Sequence, residues 1–465
     1  MRRAFTIALM PFVVACDQGS LGVAQAWITT ADRSQLLARQ PDIPFADAGT
    51  TEADIRVDTD QRYQAMAGFG AAITDAAAHV IGTVLPASSR DSLLQDLFGP
   101  DGLALGLTRV TIGASDFSVE PYTLDDVAGS GTDPELRAFD PMGAAPMLDV
   151  VRRARAVNPA LIVMATPWSA PAWMKEPRTL NGGTLRPDAY ASFATYLHRA
   201  VKAFDSAGVP VALLSLQNEP HHEPPDYPGM RLAPAQRAEL IARHVGPLFA
   251  REHPNTALLE WDHNWDEPAS PLAVLADTAA RRYIAGVAWH CYAGEVNAQA
   301  TVHASHPDKD AWFTECSGGE WAANWGDNLL WNTRHLVIGT TRAWARGVLL
   351  WNLALDERHG PHRGGCADCR GVVTVNAQTR AVTRNEEYYA LAHASRFVRL
   401  GAVRVASTSR DTTVAHVAFR NPDEGRVLIV LNDSPFPRSL DIGDGDRSVV
   451  VALPARSVAT ITWRE

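Results

Sequence analysis

The stretch Val211-Ala-Leu-Leu-Ser-Leu-Gln-Asn-Glu-Pro220 begins almost continuously apolar and ends abruptly in polar residues. Near-continuous hydrophobicity reads as a strand buried on both faces of a parallel sheet. Seven runs of the same kind surround it: 69–74 (FGAAIT), 105–112 (LGLTRVTI) and 161–166 (LIVMAT) before, and 257–261 (ALLEW), 286–292 (GVAWHCY), 311–314 (AWFT) and 347–351 (GVLLW) after. Between them, stretches such as 189–206 and 234–251 carry apolar residues at helical spacing. Eight strand–helix units over roughly 330 residues predict an α/β fold, the (β/α)8 TIM barrel with insertions. No Gly-x-Gly-x-x-Gly follows the first run, which argues against a doubly wound open sheet.

Beyond residue 395 the pattern changes. Short runs at 412–420, 426–432, 448–453 and 458–463 are separated by turn-rich segments such as 421–425 (NPDEG) and 441–445 (DIGDG). That spacing predicts an additional antiparallel β-sandwich side domain. Segments 26–37 and 54–57 are expected to add strands to it and so bring the chain ends together. The expected division is a leader over 1–15, an N-terminal contribution to the side domain over 16–65, the barrel over 66–394 and the sandwich over 395–465.

The leader carries Arg2 and Arg3 and then an apolar run, 4–15, too short to span a bilayer as a helix. Val13-Val14-Ala15-Cys16 resembles a bacterial lipobox, which predicts cleavage before Cys16, lipidation of that cysteine and a lipid anchor on the periplasmic or cell-surface side. An ordinary signal peptide cut near Ala24 or Ala26 is the alternative. The chain holds 42 Lys+Arg against 52 Asp+Glu, a net charge of −10, without a basic cluster, so nucleic acid is not an expected partner. Its 46% hydrophobic content and 13 Trp exclude a disordered chain. Cys366 and Cys369 follow His359 and His362 in a Gly-rich segment; the ligand types suit zinc, but a small disulfide is the favoured reading. Cys291 and Cys316 lie in apolar runs and are expected to be buried thiols. No metal and no cofactor is expected.

Active sites of such barrels sit where the strands end. Run four ends at Glu219 and run seven at Glu315, nearly opposite one another. Two carboxylates about 5 Å apart are what retaining glycoside hydrolysis uses, one as acid/base and one as nucleophile. A single strand-end Glu is more often an ion-pair or capping residue; the pair, with Asn218 before the first, points to catalysis.

At this point the sequence resembles a family. Gly68-Phe-Gly-Ala-Ala-Ile-Thr-Asp75, Asp116-Phe-Ser118 with Tyr122, Pro167-Trp-Ser-Ala-Pro-Ala-Trp-Met-Lys175, Asn218-Glu-Pro220, Trp351-Asn-Leu-Ala-Leu355, Arg384-Asn-Glu-Glu-Tyr-Tyr389 and Ser395-Arg-Phe-Val398 are similar, in order, to the glucosylceramidase family, glycoside hydrolase family 30. The resemblance implies Glu219 as acid/base, Glu315 as nucleophile and Asn218 as a donor to the sugar 2-hydroxyl. It implies a sugar pocket lined by Asp116, Trp168, Trp351 and Asn352, with His290 and Tyr292 on the sixth strand and Tyr292 bonded to Glu315. His222 and the segment Asp262-His-Asn264 are expected to border the cleft. The acid role requires a raised pKa at Glu219, expected from burial and the neighbouring carboxylate. Cys291 stands where animal glucosylceramidases carry Trp, and the Cys366-x-x-Cys369 loop looks closer to bacterial members and to relatives cutting β-1,6-glucan. The expected substrate is a β-glucoside, either a glycolipid of the glucosylceramide type or a β-1,6-glucan. A β-xylosidase, a non-catalytic lipid-anchored carbohydrate-binding protein and a zinc hydrolase built on the His/Cys loop are the competing readings.

Overall fold

The computed structural model describes residues 21–49, 52–411 and 413–464; Cys16 and the expected leader lie outside them. Two long strands, β1 (Val23–Thr30) and β2 (Ile55–Ala65), precede the barrel, with three two-residue strands between them. Eight parallel strands then close into a barrel: β3 (Gly68–Ala72), β4 (Leu107–Ile112), β5 (Ile162–Pro167), β6 (Leu213–Ser215), β7 (Ala257–Asn264), β8 (Ile284–His290), β9 (Asp310–Glu315) and β10 (Ala345–Asn352). Each overlaps one of the eight apolar runs.

The barrel interior is stratified by the two-residue period of a strand. Ala67, Leu107, Met164, Leu213, Leu259, Ala288, Trp312 and Leu349 pack together as one apolar layer. Two residues further along, the next inward positions are Arg109, Thr166, His290 and Thr314, all buried. The apolar layer seals the lower barrel, so the polar layer opens only toward the C-terminal mouth.

The surrounding helices follow from their stripes. In α1 (Tyr190–Ser206), Phe193, Leu197, Ala200, Val201 and Phe204 are buried at helical spacing against the barrel. Burying each large side chain contributes roughly 1.5–3 kcal/mol. The helix stops at Gly208, whose φ of +83° only glycine adopts without cost, and Val209 N–H closes the turn on the Phe204 carbonyl at 2.9 Å.

The side domain is built from β11 (Val403–Ser409), β12 (Ala415–Arg420), β13 (Arg426–Asn432), β14 (Arg438–Asp444), β15 (Arg447–Leu453) and β16 (Ser457–Trp463). β11 and β14 are not among the runs read from sequence. Their polar residues Arg404, Ser407, Asp441 and Asp444 hide the alternation. β1 pairs antiparallel with β16 from Ala24↔Trp463 to Thr30↔Ser457, and β2 lies between β11 and β14. β13 is buried on both faces: Leu428 and Val430 face the sandwich core, whereas Val427, Ile429 and Leu431 join the core shared with the barrel.

Helix α2 (Glu386–Ser395) completes that junction. His393 is fully buried, its Nδ1 2.9 Å from Thr460 Oγ1 and its Nε2 2.9 Å from Thr29 Oγ1. Thr460 Oγ1 donates to the His393 carbonyl, so it accepts from Nδ1–H, and Nε2 accepts from Thr29. Burial holds the imidazole neutral and pushes its pKa down to about 3. The unfolded chain therefore binds a proton that the folded chain refuses below about pH 6.5. Stability should fall as pH drops from 6.5 toward 3. A His393→Gln variant, which keeps donor and acceptor without a charge, should show a shallower loss of melting temperature between pH 7 and pH 4 than the native chain.

Candidate active site

Arg109 occupies the centre of the polar layer and is fully buried. Its Nη1 donates to Glu315 Oε2, and its Nη2 donates to Asn218 Oδ1 at 2.7 Å and Asp262 Oδ2 at 2.8 Å. Nε reaches Thr166 Oγ1 at 3.2 Å. The guanidinium carbon lies 4.7 Å from the Trp168 ring centre and 5.5 Å from that of Trp351. Those two indoles are stacked 5.0 Å apart. One cation thus joins side chains from five barrel strands and the segment after β6. The sequence reading missed Arg109. A lone charge inside the run LGLTRVTI was the available signal, since an unpaired guanidinium in a doubly buried strand is prohibitively costly.

Asp262 ties the opposite wall. Its Oδ1 accepts from Thr314 Oγ1 at 2.7 Å and faces His290 Nε2 at 3.1 Å. Burial would raise its pKa, but the Arg109 charge and the His290 bond hold it far below the usual carboxylate range. With Nε2–H committed to Asp262, His290 turns Nδ1 to the two glutamates, 3.1 Å from Glu219 Oε1 and 4.0 Å from Glu315 Oε1. Tyr292 donates to Glu315 Oε1 at 3.0 Å. Glu219 has a φ of +47° and Asp262 one of +58°, both in the left-handed region. Glu219 N–H donates to the Asp262 carbonyl at 3.0 Å. Such conformations cost about 1–3 kcal/mol each and persist where surroundings impose them.

Electrostatics correct one expectation. Burial would raise Glu219, but the His290 hydrogen bond and charge, with His263 and His222 beyond, bring its pKa below the usual carboxylate value. Burial lowers the His290 pKa on its own; the charges of Glu315 and Asp262 and the bonds to Asp262 and Glu219 outweigh it and hold His290 up at about 9. These shifts favour Glu219 as the ionised member of the pair and His290 as the protonated one. Glu315 is shifted upward by burial, offset in part by His290 and Arg109. Asp116 is driven well above its ordinary value by burial and by the charges of Glu315 and Glu219.

The remaining pocket residues gather at the same mouth. Trp168, Trp351 and Phe117 form an aromatic cluster with Cys369, and Tyr227 and Cys366 pack on it. Asn352 Oδ1 accepts from Thr74 Oγ1 at 2.8 Å, while its buried Nδ2 has no protein partner. His263 lies 3.7 Å from Glu219 Oε1. His222 stands one step away, 3.0 Å from the Tyr227 hydroxyl; Tyr227 was also missed by the sequence reading.

All four cysteines of the described residues are paired. Cys366 and Cys369 form a disulfide, so their sulfurs are not thiolate ligands for zinc with His359 and His362. The Gly-rich loop carrying them closes on the pocket: Arg363 N–H donates to the Asp116 carbonyl at 2.7 Å. A Cβ at Gly365 would lie 2.6 Å from that of Asp116. Cys291 and Cys316, expected as buried thiols, are bonded to each other. Both belong to apolar runs, but the β8–β9 ladder pairs His290 with Glu315, which brings the next residues of the two strands together.

Fold and site define a class: a glycoside-hydrolase-type barrel with two carboxylates at the mouth. The chain belongs to glycosyl hydrolase family 30, matching the family's TIM-barrel domain over residues 66–398 and its beta sandwich domain over 401–461. It is 34% identical over 401 residues to endo-1,6-beta-D-glucanase BGN16.3 of Trichoderma harzianum (81% of this chain, 79% of that protein). To the lysosomal acid glucosylceramidase of Mus musculus it is 27% identical over 440 residues (87% and 82%). Among solved structures, the endo-beta1,6-glucanase BT3312 superposes with a TM-score of 0.86 at 29% identity, covering 95% of this chain and all of that one.

Two outcomes follow from the geometry. Arg109→Met removes the guanidinium paired with Asp262 and Glu315, leaving His290 alone to face both buried carboxylates, and should lower unfolding free energy by about 3–5 kcal/mol in a denaturant titration. Replacing Cys291 and Cys316 together by Ala opens a 25-residue loop and should lower it by about 3 kcal/mol.

Proposed function

We propose that the protein is a retaining β-glucosidase-type enzyme acting on β-1,6-linked glucan. The observation that carries the chemistry is His290 Nδ1 within 3.1 Å of Glu219 and 4.0 Å of Glu315. One ring nitrogen in reach of both carboxylates limits how far apart their oxygens can lie, and that limit accommodates the about 5–5.5 Å spacing of a retaining pair.

Glu315, oriented by Arg109 and Tyr292, attacks the anomeric carbon. As it does so its negative charge becomes an ester. That charge supports the His290 proton, so His290 becomes more acidic as the bond forms. Its Nδ1 proton passes to Glu219 as Glu219 protonates the leaving oxygen. The glycosyl-enzyme then holds a neutral His290 and an anionic Glu219, which is the base the second step needs. Water attacks the ester, Glu219 takes its proton and returns it to His290, and Glu315 is released as carboxylate. Asn218, its carbonyl oxygen fixed by Arg109, presents its NH2 edge to the 2-hydroxyl. Asn352 Nδ2 supplies a further donor, Asp116 a further polar contact, and the Trp168 and Trp351 indoles an apolar wall.

The β-1,6-glucan reading rests on the fungal endo-1,6-beta-D-glucanases, 33–35% identical to this chain, against 27–28% for the glucosylceramidases. The glycolipid remains the second reading. A lipid anchor at Cys16 would place the enzyme at an exported membrane surface, where either polymer or glycolipid is met.

A 2-fluoro-β-glucosyl probe should leave a mass adduct on the peptide containing Glu315; a folded, unlabelled protein would sink the assignment. Glu315→Gln and Glu219→Gln should each reduce turnover of β-1,6-glucan by several orders of magnitude. Glu219→Gln should lose far less in the glycosylation step with a dinitrophenyl glucoside, whose leaving group needs no proton. Hydrolysis of glucosylceramide with no action on β-1,6-glucan would replace the substrate while keeping the chemistry.

A further inference from the structure

We propose that Glu219, His263 and His290 form a binding site for one borderline transition-metal dication of the Zn2+ class, which on binding closes the acid/base position. One ligand atom from each residue lies within 4.8 Å of the others. The carboxylate oxygen Oε1 of Glu219 is 3.1 Å from His290 Nδ1 and 3.7 Å from His263 Nδ1. Those separations approach the edges, about 3.3–3.6 Å, of a tetrahedron whose bonds are about 2.0–2.2 Å long.

Three further features are those of a metal site. His263 Nδ1 is buried and has no hydrogen-bond partner, so its lone pair or proton faces Glu219 uncommitted. His290 is oriented from behind by Asp262 through Nε2, the carboxylate–histidine arrangement that fixes metal-ligating imidazoles. Asp262 is itself held by Arg109 and Thr314. Arg109 pairs with Asp262 and Glu315, whereas the partners of Glu219 are the two imidazoles, so a dication would meet its carboxylate directly. Three protein ligands leave a fourth position toward the pocket mouth for water or a sugar hydroxyl. The metal and a productively bound sugar compete for Glu219, which makes the site inhibitory. That consequence rests on the proposed acid/base role of Glu219; the binding does not.

Co2+ titration of the full chain, read by visible absorption, tests the binding directly, with Zn2+ as the displacing ion. One tetrahedral Co2+ per chain is expected. His263→Phe and, separately, Glu219→Gln should each weaken it at least tenfold, since loss even of a group that only orients a ligand costs about 10–100-fold. Zn2+ should inhibit the native enzyme, and saccharide should relieve the inhibition. The pair His198 and His253, 2.9 Å apart, is the competing imidazole cluster, and His198→Phe should change nothing. Absence of a Co2+ spectrum in folded protein, binding that survives in both pocket variants, or binding lost with His198→Phe would each overturn the site. Binding that behaves as expected in a protein inactive on every β-glucoside would retain the site and reject the enzymatic reading instead.

Discussion

The buried guanidinium of Arg109 is the interaction on which the mouth of this barrel depends. Without it, Asp262 and Glu315 would be carboxylates desolvated in a shared cavity, and burial of such charges without partners costs several kcal/mol each. With it, Asp262 stays ionised and can orient His290, the Asn218 carbonyl oxygen is fixed so that its NH2 is left to offer, and Glu315 is held by a guanidinium that itself lies over the stacked indoles of Trp168 and Trp351. The rest of the fold makes that burial possible. The apolar layer from Leu107 to Leu349 excludes water from below, and the two-residue strand period lifts Arg109, Thr166, His290 and Thr314 just above it.

The polar layer also divides labour between two faces of one imidazole. His290 Nε2 is locked to Asp262, while Nδ1 is shared with Glu219 and sees Glu315. In the proposed reaction, a proton kept on His290 while Glu315 is charged would be released as that charge disappears, tying proton delivery to bond formation. The same nitrogen and oxygen atoms are the ligands of the proposed dication site.

The two disulfides and the side domain stiffen this arrangement from outside. Cys291–Cys316 staples β8 to β9 immediately beyond His290 and Glu315, and Tyr292 follows the staple. Cys366–Cys369 shapes the loop that lies on Asp116 and the aromatic cluster. The sandwich packs β13 and β16 against the barrel through α2, with His393 bridging Thr29 and Thr460. Strands from both ends of the chain meet there.

The sequence by itself determined the barrel, the participation of both termini in the sandwich, and the two strand-end glutamates with Asn218. Each rests on local information: continuous apolar runs, turn-rich spacing, and polar residues at the ends of buried strands. Tertiary structure decided what local pattern cannot carry. Arg109 and Thr166 look like interruptions of apolar strands until the closed barrel brings them onto Asp262. Cys291 and Cys316 look like core thiols until strand register joins them. The electrostatics favour the charged form of His290 and the ionised form of Glu219, because a pKa is set by the charges surrounding a group in space, and those charges come from strands separated by scores of residues in the chain.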